Sequence, residues 1–572
     1  MLQYSLSPVQ SPAGRAWPLP FRLLAVFLVA AWTAGCASLP GNIARPVSTA
    51  YSTPNDTALG RLTQQRRTQA AVRSDSGFRL LESVDLAFTS RLALIESAQK
   101  TLDLQYYAVH ADSTTEQLLE RLRAAAGRGV RVRILLDDFN TVGADAQVLR
   151  LAFLKNIELR LYNPLPGSRA SLVGRIFTSL SDVGRIQKRM HNKLFIADNA
   201  WGIAGGRNLG DAYFGRGEDS NFVDLDVLAA GRIVLDMSAS FDSYWNNDLA
   251  YPVEALLGPG DLDRLRKPQL PSGAPAESSP EMVSSATAAT LTPSASVLPD
   301  VTVTAVQDRR LDLQQVTLTW APAALLVDKP GKVAPDDDEV EAGDTVVDGL
   351  SALMAQARQE LLIVSPYFVP GGPMMKVFSD LRTRGVRIGV LTNSLASNDA
   401  PAAHAGYARY RKQLLDIGVE LHEMRAEQEG PGSGFGSGVN SRPARSGGPF
   451  GSGAGVGGSK ASTGRASLHS KAVVMDRRLV VIGSMNLDLR SRLQNSEVAL
   501  VIRSEPLARE ATRLIETSFA NGSYRLELAG SRLRWRAPPG APFKDETTEP
   551  GASVRLKLLV DVLGPLAPDT ML

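Results

Sequence analysis

Apolar positions along the chain recur in one order, twice. The heptapeptide Ala93–Gln99 leads into the apolar stretch Thr101–Tyr107, which closes on two tyrosines. A polar turn containing Asp112 follows, then helical spacing over Gln117–Ala126, then Arg128-Gly129-Val130 and the strand-like run Arg131–Leu136. The second half repeats this. Leu350–Gln359 has helical spacing, Leu361–Val364 is a short buried-type run, and Tyr367-Phe368 closes it. Another helical stretch reaches Arg384-Gly385-Val386, and Arg387–Leu391 is again strand-like. Helix, strand, helix, strand at this spacing predicts βα units on a largely parallel sheet. Two copies in one chain predict an α/β pseudo-dimer.

Three segments break the pattern. Residues 1–35 carry Arg15, Arg22 and no acid, then a ten-residue apolar run, Leu23–Trp32, and small residues before Cys36. Ten residues make a helix of about 15 Å, half of the roughly 30 Å of a bilayer core, so this reads as a secretory signal. Cys36, the one cysteine, stands where a bacterial lipoprotein carries its lipid, although Thr33 replaces the usual large aliphatic residue. The other reading of Cys36 is an ordinary thiol. Pro259–Asp300 is rich in Pro, Ser and Ala and reads as a linker. Residues 430–464 hold thirteen glycines in thirty-five positions, too little apolar surface to offset the entropy of ordering. The expected division is therefore 1–35 signal, 36–78 N-terminal linker, 79–258 first domain, 259–310 linker, 311–548 second domain with a disordered insertion at 430–464, and 549–572 tail.

Composition narrows the classes. At 44% hydrophobic and 21% charged, the 572 residues can fill sizeable cores. A net charge of +3, which falls by two if the signal is removed, gives no broad basic excess for a polyanion groove. One cysteine excludes an internal disulfide and cysteine-rich metal sites. No stretch after residue 36 approaches eighteen uninterrupted apolar residues, so any membrane contact there is peripheral.

The chemistry lies in a duplicated motif. His191-x-Lys193, four residues, Asp198, six residues, Gly205-Gly206-x-Asn208 matches His469-x-Lys471, four residues, Asp476, six residues, Gly483-Ser484-x-Asn486. On a strand, His and Lys two apart share a face, while Leu194 and Ile196, or Ala472 and Val474, take the other. A glycine turn then brings Asn back beside them. Two lysines and two asparagines suit the non-bridging oxygens of a phosphoryl group. One imidazole can attack phosphorus and the other can move a proton, with no metal or cofactor needed. Each imidazole needs a partner on its other nitrogen; Glu497, in Asn495–Val498, and Asp226, in Asp224–Val227, are the candidate orienting carboxylates. Asp198 and Asp476 read as supporting residues with a salt-bridging or capping role. His404 and His422 read as structural, and His110 lies in a loop near a strand end. Lys188 and Arg189 form a basic pair that could meet an anionic headgroup.

These motifs resemble the phospholipase D superfamily, and the resemblance covers most of the chain from about residue 80. Arg189–Lys193, Gly205–Asp211 with Tyr213-Phe214, Leu391–Ala396, Asn398-Asp399, His404–Tyr407 and Asn486–Ser491 narrow it to the cardiolipin synthase branch, and within that to its type-C form. The resemblance implies two phospholipase D-like domains sharing one active site. It also implies transfer of a phosphatidyl group between membrane phospholipids, phosphatidylglycerol with or without phosphatidylethanolamine, to give cardiolipin at a membrane surface. His191 would be the nucleophile and His469 the acid/base. The same residues would serve a hydrolase releasing phosphatidic acid. A nuclease of the superfamily would want the basic groove that the composition lacks, and an inert copy of the fold would not keep both motifs intact. The expected place is a bacterial cell envelope, as a periplasm-facing lipoprotein or a peripheral membrane protein.

Overall fold

The computed structural model describes residues 39–566 except 168, 170, 180–181, 219, 267–310, 335–344 and 428–464. The signal segment with Cys36, nearly all of the linker and the glycine-rich insertion thus lie outside the described residues.

The two halves build two nine-stranded sheets. In spatial order the first runs Thr319–Trp320, Ser76–Leu81, Asp226–Gly231, Trp201–Gly205, Leu194–Ala197, Thr101–Tyr106, Arg131–Asp137, Ile157–Tyr162, Ala250–Pro252. The second runs Ala323–Val327, Val498–Arg503, Leu479–Gly483, Ala472–Met475, Glu360–Val364, Arg387–Asn393, Glu420–Met424, Ser523–Ala529, Arg532–Arg536. The repeat is visible where the pattern placed it. Thr101–Tyr106 connects to Arg131–Asp137 through the helix Ser113–Gly127, which starts on the Asp112 side chain accepting Thr115 N–H at 3.1 Å. Gly129 (φ 94°) turns the chain out of that helix, and Gly385 (φ 79°) does so in the second half, a conformation costly for any side chain.

The sheets are mixed, not largely parallel. Only the three strands joined by βα crossovers, such as Thr101–Tyr106, Arg131–Asp137 and Ile157–Tyr162, run parallel. The motif strand Leu194–Ala197 pairs antiparallel with Trp201–Gly205 because the link between them is three residues long. Asp198 (φ 53°) and Asn199 (φ 52°), and likewise Asp476 (φ 51°) and Arg477 (φ 53°), take the left-handed conformation a tight hairpin needs. A parallel return would need a dozen residues or more.

The domain edges also move. Residues 36–78 hold the helix Ala58–Ala70, and Pro46 and Ser48 accept hydrogen bonds from the buried Arg160 and Arg133. Thr319–Trp320 joins the first sheet, so the crossing to the second falls at Ala321-Pro322. Past 549, the helix Val554–Leu566 packs on the helix Pro401–Asp416. One buried cluster takes Phe78, Leu194 and Val227 from the first sheet and Leu362, Val480 and Leu500 from the second. The halves therefore share a core. A further parallel pair, Ser220–Val223 with Arg465–Leu468, takes one strand from each half.

Candidate active site

Each motif histidine is anchored by the opposite half. Ser220–Val223 and Arg465–Leu468 run side by side, so His469 follows directly and its N–H donates to Val223 O at 2.8 Å. His191 N–H donates to Ser496 O at 2.9 Å. The residue before each histidine is held alike: Met190 N–H donates to Asp137 Oδ2 (2.9 Å) and Leu468 N–H to Asn393 Oδ1 (2.8 Å).

The carboxylates cross over too. His191 Nδ1 lies 2.9 Å from Glu497 Oε2, and His469 Nδ1 lies 2.7 Å from Asp224 Oδ2. Each half thus supplies the imidazole for one pair and the carboxylate for the other. With Nδ1–H given to a carboxylate, Nε2 is left as the lone-pair-bearing nitrogen. Glu497 is itself fixed: Ser484 and Ser491 hydroxyls donate to its two oxygens, and its own N–H donates to Asp328 Oδ2 at 2.9 Å.

Asp226 does not hold a histidine. Its carboxylate is buried between Arg91 (2.9 Å) and Arg207 (3.3 Å). Gly205 pairs with Asp226 across the first sheet and Gly483 with Ala499 across the second, so the true counterpart of Glu497, two residues before Ala499, is Asp224. The glycines make room. A Cβ on Gly206 would sit 2.4 Å from Asp224 Oδ1, and one on Gly205 2.1 Å from Asp226 Oδ1. In the second half Ser484 occupies the place of Gly206 and donates to Glu497 instead.

Burial sets the charges. His191 is pulled down to about 4 by burial, with Glu497 opposing and Lys193 and Lys471 adding. His469 is pushed well below its ordinary value by burial, then by the charges of Lys471, Lys193 and His191. The charges of both motifs are thus felt at the His469 ring. Burial draws the Lys193 ammonium down to about 7 and lowers Lys471 as well. Glu497 stays below its ordinary range because His191, Lys193 and Ser484 outweigh its burial. Each lysine folds back to donate to its own motif's histidine carbonyl, Lys193 at 2.7 Å. Tyr107 packs edge-on to the His191 ring (centroids 5.1 Å apart) and Tyr213 edge-on to His469 (5.3 Å).

The two asparagines are buried. Asn208 donates to the Tyr213 hydroxyl at 2.9 Å, while Asn486 Oδ1 has no hydrogen-bond partner among the described residues. Asp198 and Asp476 point away from the imidazoles. Asp198 accepts the N–H groups of Gln99, Lys100 and Thr101, and Asp476 those of Arg358, Gln359 and Glu360, clamping the start of the neighbouring strand. His404 is buried against Arg411 (2.7 Å), and His422 stacks on Phe519 with centroids 3.8 Å apart. His110 pairs with Asp145 at 3.0 Å. Arg189 is buried against Asp137 and Asn163, so its guanidinium does not stand open to a headgroup, while the half-buried Lys188 ammonium donates one of its three hydrogens to Ala334 O.

Comparison with known proteins gives the family. A family described as "Cardiolipin synthase, PLD-like domain" matches residues 92–245, 350–435 and 451–519. Cardiolipin synthase C of Escherichia coli is 35% identical over 80% of this chain and 88% of its own length. The chain belongs to the cardiolipin synthase family of phospholipase D-like proteins. An uncharacterised protein of Helicobacter pylori is 30% identical over 94% of this family member and 97% of its own length. Among solved structures, phosphatidylserine synthase of Haemophilus influenzae aligns over 82% of this chain and 92% of its own, at 14% identity and a TM-score of 0.48.

Sequence reasoning passed over Asp224, Ser484, Ser491, Asp328 and Asn393 in this family member. Asp224 and Asp226 are two apart and share strand parity, so periodicity could not separate them. The arginines that claim Asp226 come from a helix and a turn remote in sequence. A usable signal was there: aligning the two strands on Gly205 and Gly483 sets Asp224 opposite Glu497.

Proposed function

We propose that the protein is a phosphatidyltransferase that makes cardiolipin by moving a phosphatidyl group between phospholipids, phosphatidylglycerol first among them and phosphatidylethanolamine a possible second. The observation that carries it is the exchange of carboxylates, each motif imidazole being oriented by an acid of the other half. His191, neutral at Nε2, attacks phosphorus; the phosphorus–oxygen bond to the headgroup breaks, and His469 gives the departing oxygen a proton. His469 then takes the proton of an acceptor hydroxyl, that oxygen attacks phosphorus, and the bond to His191 breaks.

The free site resists charge on either imidazole. A phosphodiester anion arriving between Lys193 and Lys471 reverses this, because it adds the negative charge that stabilises an imidazolium at His469. The lysines meet the non-bridging oxygens, and the amide N–H groups of Asn486 would join them.

The substrates put the chain at a bilayer. The relatives are bacterial, and among the described residues no helix is long and apolar enough to cross a membrane. Lipidation at Cys36, on the periplasmic side, would supply the attachment. The helix Val554–Leu566 supports a peripheral contact with an anionic bilayer. It exposes Val554, Leu558 and Val562 on one face with Arg555 on the same helix, and its other face packs at Val560 against Leu395 and Ala405. Leu395 belongs to the loop after Asn393, which holds the residue ahead of His469.

Incubation with phosphatidylglycerol vesicles, with and without phosphatidylethanolamine, should yield cardiolipin, and His191→Ala should abolish it. Phosphatidic acid as the only product would replace the synthase by a hydrolase. Activity retained in both His191→Ala and His469→Ala would overturn the mechanism.

A further inference from the structure

The twofold relation between the halves breaks at one place beside the reacting centre. Val109 bridges to Leu209, the residue after Asn208, and Phe368 bridges to Leu487, the residue after Asn486. The residue ahead of each bridge is therefore Ala108 in one half and Tyr367 in the other. Ala108 engages through its backbone alone, donating its N–H to Asn208 and accepting from Leu209. Tyr367 carries a hydroxyl that lies 2.9 Å from both oxygens of Asp399.

Asp399 sits in the loop between the strand Arg387–Asn393 and the helix Pro401–Asp416, and it is exposed. The loop grows from Asn393, whose side chain holds Leu468 by both its N–H and its C=O, directly ahead of His469. The Asp399 charge is felt by Lys471 and by Tyr213, whose ring packs against His469. A carboxylate whose charge reaches Lys471 opposes the binding of a phosphodiester unless something else uses it. One shared phenolic proton leaves most of its roughly four lone-pair positions open.

Double displacement says what passes there. The departing headgroup oxygen and the entering acceptor oxygen use the same apical position, opposite the nucleophile and beside the group that moves the proton. Both headgroups therefore cross the His469 wall. We propose that Asp399, steadied by Tyr367, receives the hydrogen-bond donors that a headgroup carries beyond its reacting oxygen, the further hydroxyls of a glycerol or the ammonium of an ethanolamine. Water and simple alcohols bring no such second donor. This rests on the phosphatidyl-transfer reading above and adds to it the group that selects the alcohol.

The test offers the full-length protein, in phosphatidylglycerol vesicles, deuterated glycerol, ethanolamine or ethanol as acceptor. Mass spectrometry counts each deuterated phosphatidyl product. The native protein should favour glycerol, ethanolamine or both over ethanol. Asp399→Asn should cut that preference about tenfold, the worth of one hydrogen bond to a charged group. Tyr367→Phe, which keeps the carboxylate but frees it, should cut it less. Loss confined to glycerol identifies a polyol site, and loss confined to ethanolamine an ammonium site. No preference in the native protein, a preference unchanged in Asp399→Asn, or an equal fall of all three products overturns the proposal. Cardiolipin formed from the phosphatidylglycerol with transfer to none of the three overturns this inference alone, whereas neither cardiolipin nor any transfer fails the phosphatidyl-transfer reading itself.

Discussion

Glu497 and Asp226 are both buried acids near strand starts, yet they face different partners and should fail differently. Glu497→Gln leaves His191 without an anion at Nδ1 and admits the wrong tautomer. Turnover in the vesicle assay should fall at least about 100-fold, within the range seen when an orienting carboxylate is neutralised. Asp224→Asn should match it through His469. Asp226→Asn instead strands Arg91 and Arg207 in the interior, so its loss should appear in the melting temperature while active-site titration of the folded fraction stays near native. Lys193 makes a second prediction at this scale. Its ammonium, drawn down to about 7 by burial, is charged below that pH and neutral above it. The kcat/KM, which reports the free enzyme, should therefore decline as pH rises through about 7. Lys193→Arg, never neutral in this range, should remove that decline.

Whole elements hang on residues that look catalytic in the motif. Asp198 and Asp476 each gather three backbone N–H groups at the start of a strand, so Asp476→Ala removes a charged acceptor from three donors. The cost should be roughly 3 kcal/mol of stability by chemical unfolding. His422 shows how burial couples to pH. Stacked on Phe519, it is held neutral by burial down to about 3 in the folded chain, against 6.5 for an unburied imidazole. Below 6.5 the unfolded chain takes up a proton that the native chain refuses, so stability present above 6.5 is lost as pH falls toward 3. His422→Phe keeps a stacking ring and should lose less melting temperature between pH 7 and pH 5 than the native protein. The C-terminal helix gives an element-scale check on the bilayer contact. Replacing Val554, Leu558 and Val562 by Ser should weaken co-sedimentation with anionic vesicles while leaving the fold, whose contacts lie on the other face, unchanged.

At the scale of the molecule the halves cannot act alone, since each lacks the carboxylate its histidine needs and they share one core. Calorimetry should show a single unfolding transition, and two resolved transitions would count against a shared core. Much of this was legible beforehand. The repeat, its helices and strands, the glycines that end the helices, and both His-x-Lys motifs follow from local periodicity and backbone sterics, which act over a few residues and leave their mark in the chain. Glu497 was readable because it directly precedes a strand with no competing acid. The mixed direction of the sheets was not read, because hairpin and crossover look alike until the length of the link is weighed. Nor was the choice of Asp224 over Asp226, or the exchange of carboxylates between halves. Those depend on which arginines, and which strand of the other half, arrive at a given point. Only the folded chain brings those partners within hydrogen-bonding distance, and at that range desolvation makes an unpaired charge too costly to keep.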